Sequence, residues 1–208
     1  MKLIKHLFLA LTLLCATQAF AEPILGKDYT LVNPPQQTSS GNKIEVLEFF
    51  FYGCSHCYKL HPFLNAWGEK TSKEVALIYV PTIFQPTAEA MARTHYALDA
   101  LGKLRNLDEE LYKALNEKNQ DLTDAAKSTD FVVQHGVDRK QFSDAYSAFS
   151  TESKLMRNKQ LQQIYNIRGT PTLIVDGKYL ITGLHPEDAI KALDGLIEKV
   201  RKERKGKR

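Results

Sequence analysis

The chain has 208 residues, 43% of them hydrophobic and 25% charged, with three cysteines and a formal net charge of +4. That length fits one domain, or one domain carrying an insertion, and excludes a string of independent modules. Beyond the N-terminal segment no apolar run approaches the roughly eighteen residues that a membrane helix needs, so a soluble, exported mature protein is expected.

The first stretch reads MKLIKHLFLALTLLCATQAFAEP. Lys2 and Lys5 give a charged start, Leu7–Leu14 an apolar run, and Ala19-Phe20-Ala21 a small-x-small cleavage pattern. This is the three-part design of a secretory signal peptide, with cleavage expected after Ala21. An uncleaved anchor is disfavoured because the apolar run is short. A lipid-modified Cys15 is disfavoured because bulky Leu14 precedes it. Cleavage leaves two cysteines, Cys54 and Cys57. Lys199–Arg208 holds seven basic residues and one acid, so the rest of the mature chain is net acidic. Anionic lipid or nucleic acid could attract such a tail, but a solvated, fraying helix end is the expectation.

Tyr29–Val32 is a short strand candidate, followed by the turn-rich NPPQQTSSGN. IEVLEFFFYG, residues 44–53, is nearly continuous in β-branched and aromatic residues, as in a strand buried on both faces. A helix is expected over Cys57–Trp67, with Gly68 near its end, and a second buried strand over Val75–Val80, closed by Pro81. From Thr87 the period changes to helical: Met91, Thr94, Leu98 and Leu101 share a face, and Leu104, Leu107, Leu111 and Leu115 continue it. Further helices are expected over Thr129–His135, after a capping box of Asp138 and Gln141, and over Thr151–Tyr165. Strand texture returns at Thr172–Val175, Asp176-Gly177 is a two-residue hairpin turn, and Tyr179–Thr182 is the return strand. EDAIKALDGLIEKV is the last helix. The order predicts an α/β protein of thioredoxin type, a central mixed sheet with an all-helical insertion. The expected division is residues 22–85, an inserted 86–160, and 161–208.

The chemistry concentrates in FYGCSHCYKLHP, residues 51–62. Structural zinc wants four ligands, and Cys54, His56, Cys57 and His61 all fall in one turn-and-helix segment with no second Cys-x-x-Cys pair. No metal and no cofactor are therefore expected. A structural staple is a weak alternative, since closing a four-residue loop removes only about 2 kcal/mol of unfolded-state entropy. A reactive dithiol has a mechanism. Cys54 falls where a buried strand meets a helix N-terminus, whose free N–H groups and dipole favour a thiolate. His56 is expected to add to that by charge or hydrogen bond. Cys57 lies one turn inside, shielded and ready to attack whatever binds Cys54. Depressing the Cys54 pKa stabilises the reduced form and makes the disulfide an oxidant. His61 is expected at the surface or in a groove.

VLEFFFYGCSHCYKLHP, the RGTPT segment and the inserted helices together resemble periplasmic DsbA-type thiol:disulfide oxidoreductases over essentially the whole mature chain. Two positions depart from the usual pattern: Ser55-His56 stands for Pro-His between the cysteines, and Thr170 for Val before the loop proline. The resemblance implies a redox disulfide Cys54–Cys57 and a cis Pro171 facing it, with the Thr170 backbone edge open to an extended substrate. It implies a substrate groove around Phe51, Tyr52 and Pro171, and a buried Glu48 relaying a proton to or from Cys57. The implied partners are exported proteins with free thiols and a membrane oxidase of the DsbB type, with no nucleic acid and a monomeric protein in the periplasm. Ser55 and Thr170 leave open a reductase or isomerase on the same fold. A peptide-binding chaperone with an incidental dithiol is the alternative from another class.

Overall fold

The computed structural model describes residues 22–206, so the signal-peptide reading of residues 1–21 lies outside the described residues. Five strands form one mixed sheet: β1 (Thr30–Leu31), β2 (Ile44–Phe50), β3 (Val75–Pro81), β4 (Thr172–Val175) and β5 (Tyr179–Thr182), in the spatial order β1-β5-β4-β2-β3. Only β2 and β3 run parallel; β2–β4, β4–β5 and β1–β5 are antiparallel. The helices are α1 (Ser55–Thr71), α2 (Pro86–Ala100), α3 (Leu104–Asn116), α4 (Ala125–Gln134), α5 (Arg139–Tyr146), α6 (Phe149–Ile164) and α7 (Pro186–Lys205). The run α2–α6 enters after β3 and leaves before β4, the arrangement expected of a thioredoxin-type sheet with a helical insertion.

Strand β2 is buried along its whole length because it pairs on both sides and is covered on both faces. Side chains alternate between faces along a strand. Ile44 and Val46 join α1 and α7 in a core with Leu64, Leu193 and Leu196. Leu47 and Phe49 point the other way, onto Ile174, Tyr165 and Ile167. A third core joins Phe50, Tyr52 and Cys57 to Leu111, Tyr112, Phe131 and Phe142, so the insertion closes directly over the start of α1. By the same alternation Glu48 lies on the Ile44, Val46 and Phe50 side, toward α1.

Several element ends differ from expectation for physical reasons. β2 stops at Phe50 and not at residue 53, because the chain leaves the sheet to reach the helix that begins at Ser55. Gly68 does not end α1, which continues to Thr71. A Cβ at Gly68 would lie 2.7 Å from Leu77 Cδ2, so glycine here admits a β3 side chain. α4 begins at Ala125, earlier than expected, since Asp124 caps it by accepting the Lys127 N–H at 2.9 Å. Asp138 caps α5 as expected, accepting the Gln141 N–H at 2.8 Å. The β4–β5 turn has Asp176 and Gly177 at φ 51° and 66°, the left-handed pair that a two-residue hairpin needs. The described part of the basic tail does not fray: α7 continues to Lys205, Arg201 pairs with Glu74, and Arg204 reaches Asp176 at 2.6 Å and the Asn42 carbonyl at 2.7 Å.

Candidate active site

Cys54 is the N-cap of α1. Its backbone is extended, and its Sγ accepts the Cys57 N–H at 3.3 Å. The sulfur therefore occupies the place that a serine or aspartate oxygen takes at an ordinary N-cap. It is partly exposed, whereas Cys57, one turn in, is fully buried; both are free thiols in this structure. The Thr170–Pro171 peptide bond is cis, and the Thr170 carbonyl lies 3.4 Å from Cys54 Sγ. Sequence-distant residues 54 and 170 thus meet at the end of the sheet.

The two thiols are driven apart. Cys54 is pulled down to about 5, first by the Cys57 thiol donating to it, then by the Thr170 side chain and the N–H groups of Cys57 and His56, with burial opposing. Thr170 acts in two directions. Its carbonyl accepts a weak thiol hydrogen bond, which favours the neutral form, while its hydroxyl favours the thiolate. Cys57 is held far above the ordinary thiol range by burial, then by Cys54 and the Glu48 charge. One sulfur is a thiolate at neutral pH and the other stays protonated.

Glu48 is completely buried, and neither carboxylate oxygen has a hydrogen-bond partner. Burial, then Asp108, then Cys54 push its pKa up to about 8. A second acid in the same strand gives the contrast. Glu45, which the sequence reading passed over, is also buried, but one of its oxygens accepts from the Ser39 N–H and the Ser39 and Ser40 hydroxyls, each at 2.8 Å. Glu45 is a satisfied structural carboxylate and Glu48 is not. Buried unsatisfied groups are rare and costly, and they mark functional sites.

Three expected roles need correction. The His56 ring is exposed, and its residue acts on Cys54 through the backbone N–H, because the imidazole follows the outer side of the first helical turn. Tyr52 is 1% exposed and cannot line an open groove; its hydroxyl meets His95 Nδ1 at 2.9 Å and donates to Asp108. Phe51 remains partly exposed beside the cysteines. His61 is buried rather than at the surface, and of the two expected places it takes the groove, the one between α1 and α3, wedged against Tyr112 with ring centroids 4.7 Å apart and its Nε2 3.2 Å from Asp108 Oδ2. The sequence reading missed Asp108, Tyr112 and His95. Asp108 and Tyr112 stand at i and i+4 beside the leucine stripe of α3, a signal that identifies one helix face but not what that face meets. Among the described residues no group of three or more His, Cys, Asp or Glu side chains is placed to hold a metal.

The chain is similar to known proteins over most of its length. The family model described as a DSBA-like thioredoxin domain matches residues 64–194. The thiol:disulfide interchange protein DsbA of Burkholderia cepacia is 35% identical over 181 residues, 86% of this chain and 85% of that protein. The chain belongs to the DsbA family. The DsbA of Pseudomonas syringae is 34% identical over 185 residues, 87% of this chain and 86% of that protein. The crystal structure of Pseudomonas aeruginosa DsbA superposes with a TM-score of 0.84 at 30% identity, covering 88% of this chain and 97% of that one. As a DsbA-family member the chain is a thiol:disulfide oxidoreductase with the thioredoxin fold. No helix among the described residues is long and apolar enough to cross a membrane.

Proposed function

We propose that this DsbA-family chain works as an oxidant, donating a Cys54–Cys57 disulfide to newly exported proteins in the periplasm. The observation that carries the direction is the opposed pair of thiols. Cys54, lowered to about 5, is a good leaving group, while Cys57 is shielded and held protonated. Substrate thiolate attacks Cys54 Sγ, the S–S bond breaks, and Cys57 departs with the electron pair and takes a proton, its source being Glu48, whose charge acts on Cys57. A second substrate thiolate then attacks the substrate sulfur of the mixed disulfide, and Cys54 leaves as the stabilised thiolate. The substrate loses two electrons and two protons; the enzyme keeps both electrons and one proton. A membrane oxidase of the DsbB type reoxidises the pair. Thr170, Pro171 and Phe51 border the exposed sulfur and form the substrate face. Export follows cleavage after Ala21, and the working division is residues 22–85 and 161–208 around the insertion 86–160.

Trapping tests this reading. Cys57→Ala should accumulate mixed disulfides between Cys54 and periplasmic clients, seen as reducible adducts on non-reducing gels. Cys54→Ala should form none. Adducts carried by Cys57 in the Cys54 variant would reverse the assigned roles.

A further inference from the structure

Among the described residues, four buried polar atoms near the dithiol have no hydrogen-bond partner: both oxygens of Glu48, the Tyr112 hydroxyl and His61 Nδ1. They belong to three different elements, β2, α3 and α1, and they converge. The His61 and Tyr112 rings are 4.7 Å apart. After burial itself, Glu48 is the first charge that holds the Tyr112 phenol well above its ordinary value, and Cys57 the next. A bridging water is the usual partner of such orphaned buried groups, and it joins them into a chain along which a proton passes. The cluster also has an outer end. His61 Nε2 lies 3.2 Å from Asp108 Oδ2 and 2.9 Å from the Asn65 amide nitrogen, which donates to it when the ring hydrogen is on Nδ1, and the Asp108 side chain is 16% exposed. Asp108 and His61 line a groove between α1 and α3 of about 1020 Å³, whose wall includes Asn65, Tyr79, Leu104 and Arg105. That is far more than the roughly 15 Å³ one water needs, so Asp108 meets bulk solvent.

We propose that Asp108, His61 and Tyr112 form a proton path that connects the buried Glu48 carboxyl to solvent in the groove between α1 and α3. The proposal rests on the reading of Cys54 and Cys57 as the reacting pair and supplies the step that reading leaves open. When Cys57 leaves the disulfide it takes the Glu48 proton, and Glu48 becomes a carboxylate in an apolar site. A client on Cys54 covers the near route to water. The imidazole of His61 accepts a proton at Nε2 from the Asp108 side and releases another from Nδ1 inward; the Tyr112 phenol passes one to Glu48 as it receives one. Glu48, Tyr112 and Asp108 end as they began, His61 is left with its hydrogen on Nε2 and resets by rotation of its ring before the next turnover, and the net transfer is one proton from solvent to Cys57. His61 suits the task because burial lowers its pKa, against Asp108 and Glu109, and leaves it neutral and able to carry a proton either way. The remaining groups around Glu48 are Tyr79 opposite it on β3, Cys54 and Cys57 on α1, and Tyr52 with His95 behind Asp108. Two of the three path residues, Asp108 and Tyr112, lie on α3, and the third, His61, leans on it, which gives the helical insertion a part in the chemistry. All three are positioning residues: they act through Glu48.

The test is single-turnover reduction of the oxidised full-length mature protein by a dithiol peptide, quenched by alkylation and followed against pH in H2O and D2O. Tyr112→Phe, which removes one orphaned hydroxyl, and Asp108→Asn should each slow Cys57 release by about tenfold and enlarge the solvent isotope effect. The equilibrium constant of Tyr112→Phe with the peptide should stay at the wild-type value, which a structural lesion would not preserve. Asp108→Glu should restore part of the rate. If Asp108→Asn does not fold, Tyr112→Phe still decides. Wild-type rate, isotope effect and pH profile in Tyr112→Phe, beside a wild type that oxidises the peptide, would overturn the path and leave the oxidant reading standing. A wild type unable to oxidise the peptide would overturn both.

Discussion

Reducing a disulfide ordinarily loosens a fold; here the sign should depend on pH. The perturbation is reduction of Cys54–Cys57, and the relevant quantity is the stability of the reduced protein minus that of the oxidised one. Closing a four-residue loop stabilises the oxidised form by about 2 kcal/mol at any pH. Against it stands the Cys54 thiolate, whose pKa falls from 9.0 to about 5 on folding. A depressed acid contributes stability that is fully present above the unfolded value and is lost as pH falls through the folded one. At pH 7 those two values give about 2.7 kcal/mol, and solvent screening at a half-exposed sulfur reduces it to about 2 kcal/mol. The two effects therefore nearly cancel at neutrality. At pH 8 the thiolate contribution rises to about 3 kcal/mol after the same discount and the reduced form wins; at pH 4 it vanishes and the oxidised form wins by about 2 kcal/mol. Glu48 titrates in both forms and drops out of the difference to first order. For a protein of this size 1 kcal/mol moves Tm by about 2–4 °C. Thermal melts of oxidised protein, and of protein held in a non-thiol reductant, should thus cross near pH 7 and differ by a few degrees in opposite directions at pH 8 and pH 4. A gap that keeps one sign and size across this range would refute the reasoning, because it would show that Cys54 titrates alike folded and unfolded.

Glu48 makes its own pH prediction. Its pKa rises from 4.5 to about 8 on folding, so stability is lost as pH climbs between those values; by pH 7 the loss is about 3 kcal/mol. Glu48→Gln should flatten that slope in urea unfolding at pH 5 and pH 8 while slowing disulfide exchange, and an unchanged slope would count against a buried titrating carboxyl. Thr170→Val removes a hydroxyl that favours the thiolate; a hydrogen bond to a charged group contributes about 1.5 kcal/mol, so the couple should fall by about 30 mV in glutathione equilibration. A rise in potential would show that the Thr170 hydroxyl does not favour the thiolate. Gly177→Ala places a Cβ 2.2 Å from the Gln36 carbonyl oxygen at φ 66°. It should cost at least about 2 kcal/mol in denaturant melts, and a neutral result would mean the β4–β5 turn can re-form another way.

The sheet was legible because each strand carries its own pattern: a two-sided apolar run in β2, an Asp-Gly turn between β4 and β5. The reactive pair was legible for the same reason, since Cys-x-x-Cys directly after a buried strand states its own local geometry. What escaped depends on contacts between distant segments. Gly68 resembles a helix stop until Leu77 is placed against it. His61 looks like a surface histidine on α1 until Asp108 and Tyr112 arrive from the insertion. Tyr52 follows a strand and resembles a groove aromatic, but the insertion closes over it. Glu48 is legible as an acid in an apolar strand, but Glu45 lies in the same strand, and only the serines beside Glu45 separate the two. The usual signals of polarity and period report on one segment, whereas the polar cluster beneath the dithiol is built from β2, α1, α2 and α3 together.

The account turns on one property, a thiolate at Cys54 in the reduced protein. Titrating the ultraviolet thiolate absorbance of reduced protein, with Cys54→Ala as the blank, measures it directly. The predicted midpoint is near the value of about 5 set by the Cys57, Thr170 and backbone donors. A midpoint near the ordinary thiol value of 9.0 would contradict the account, leaving a dithiol with no reason to act as an oxidant.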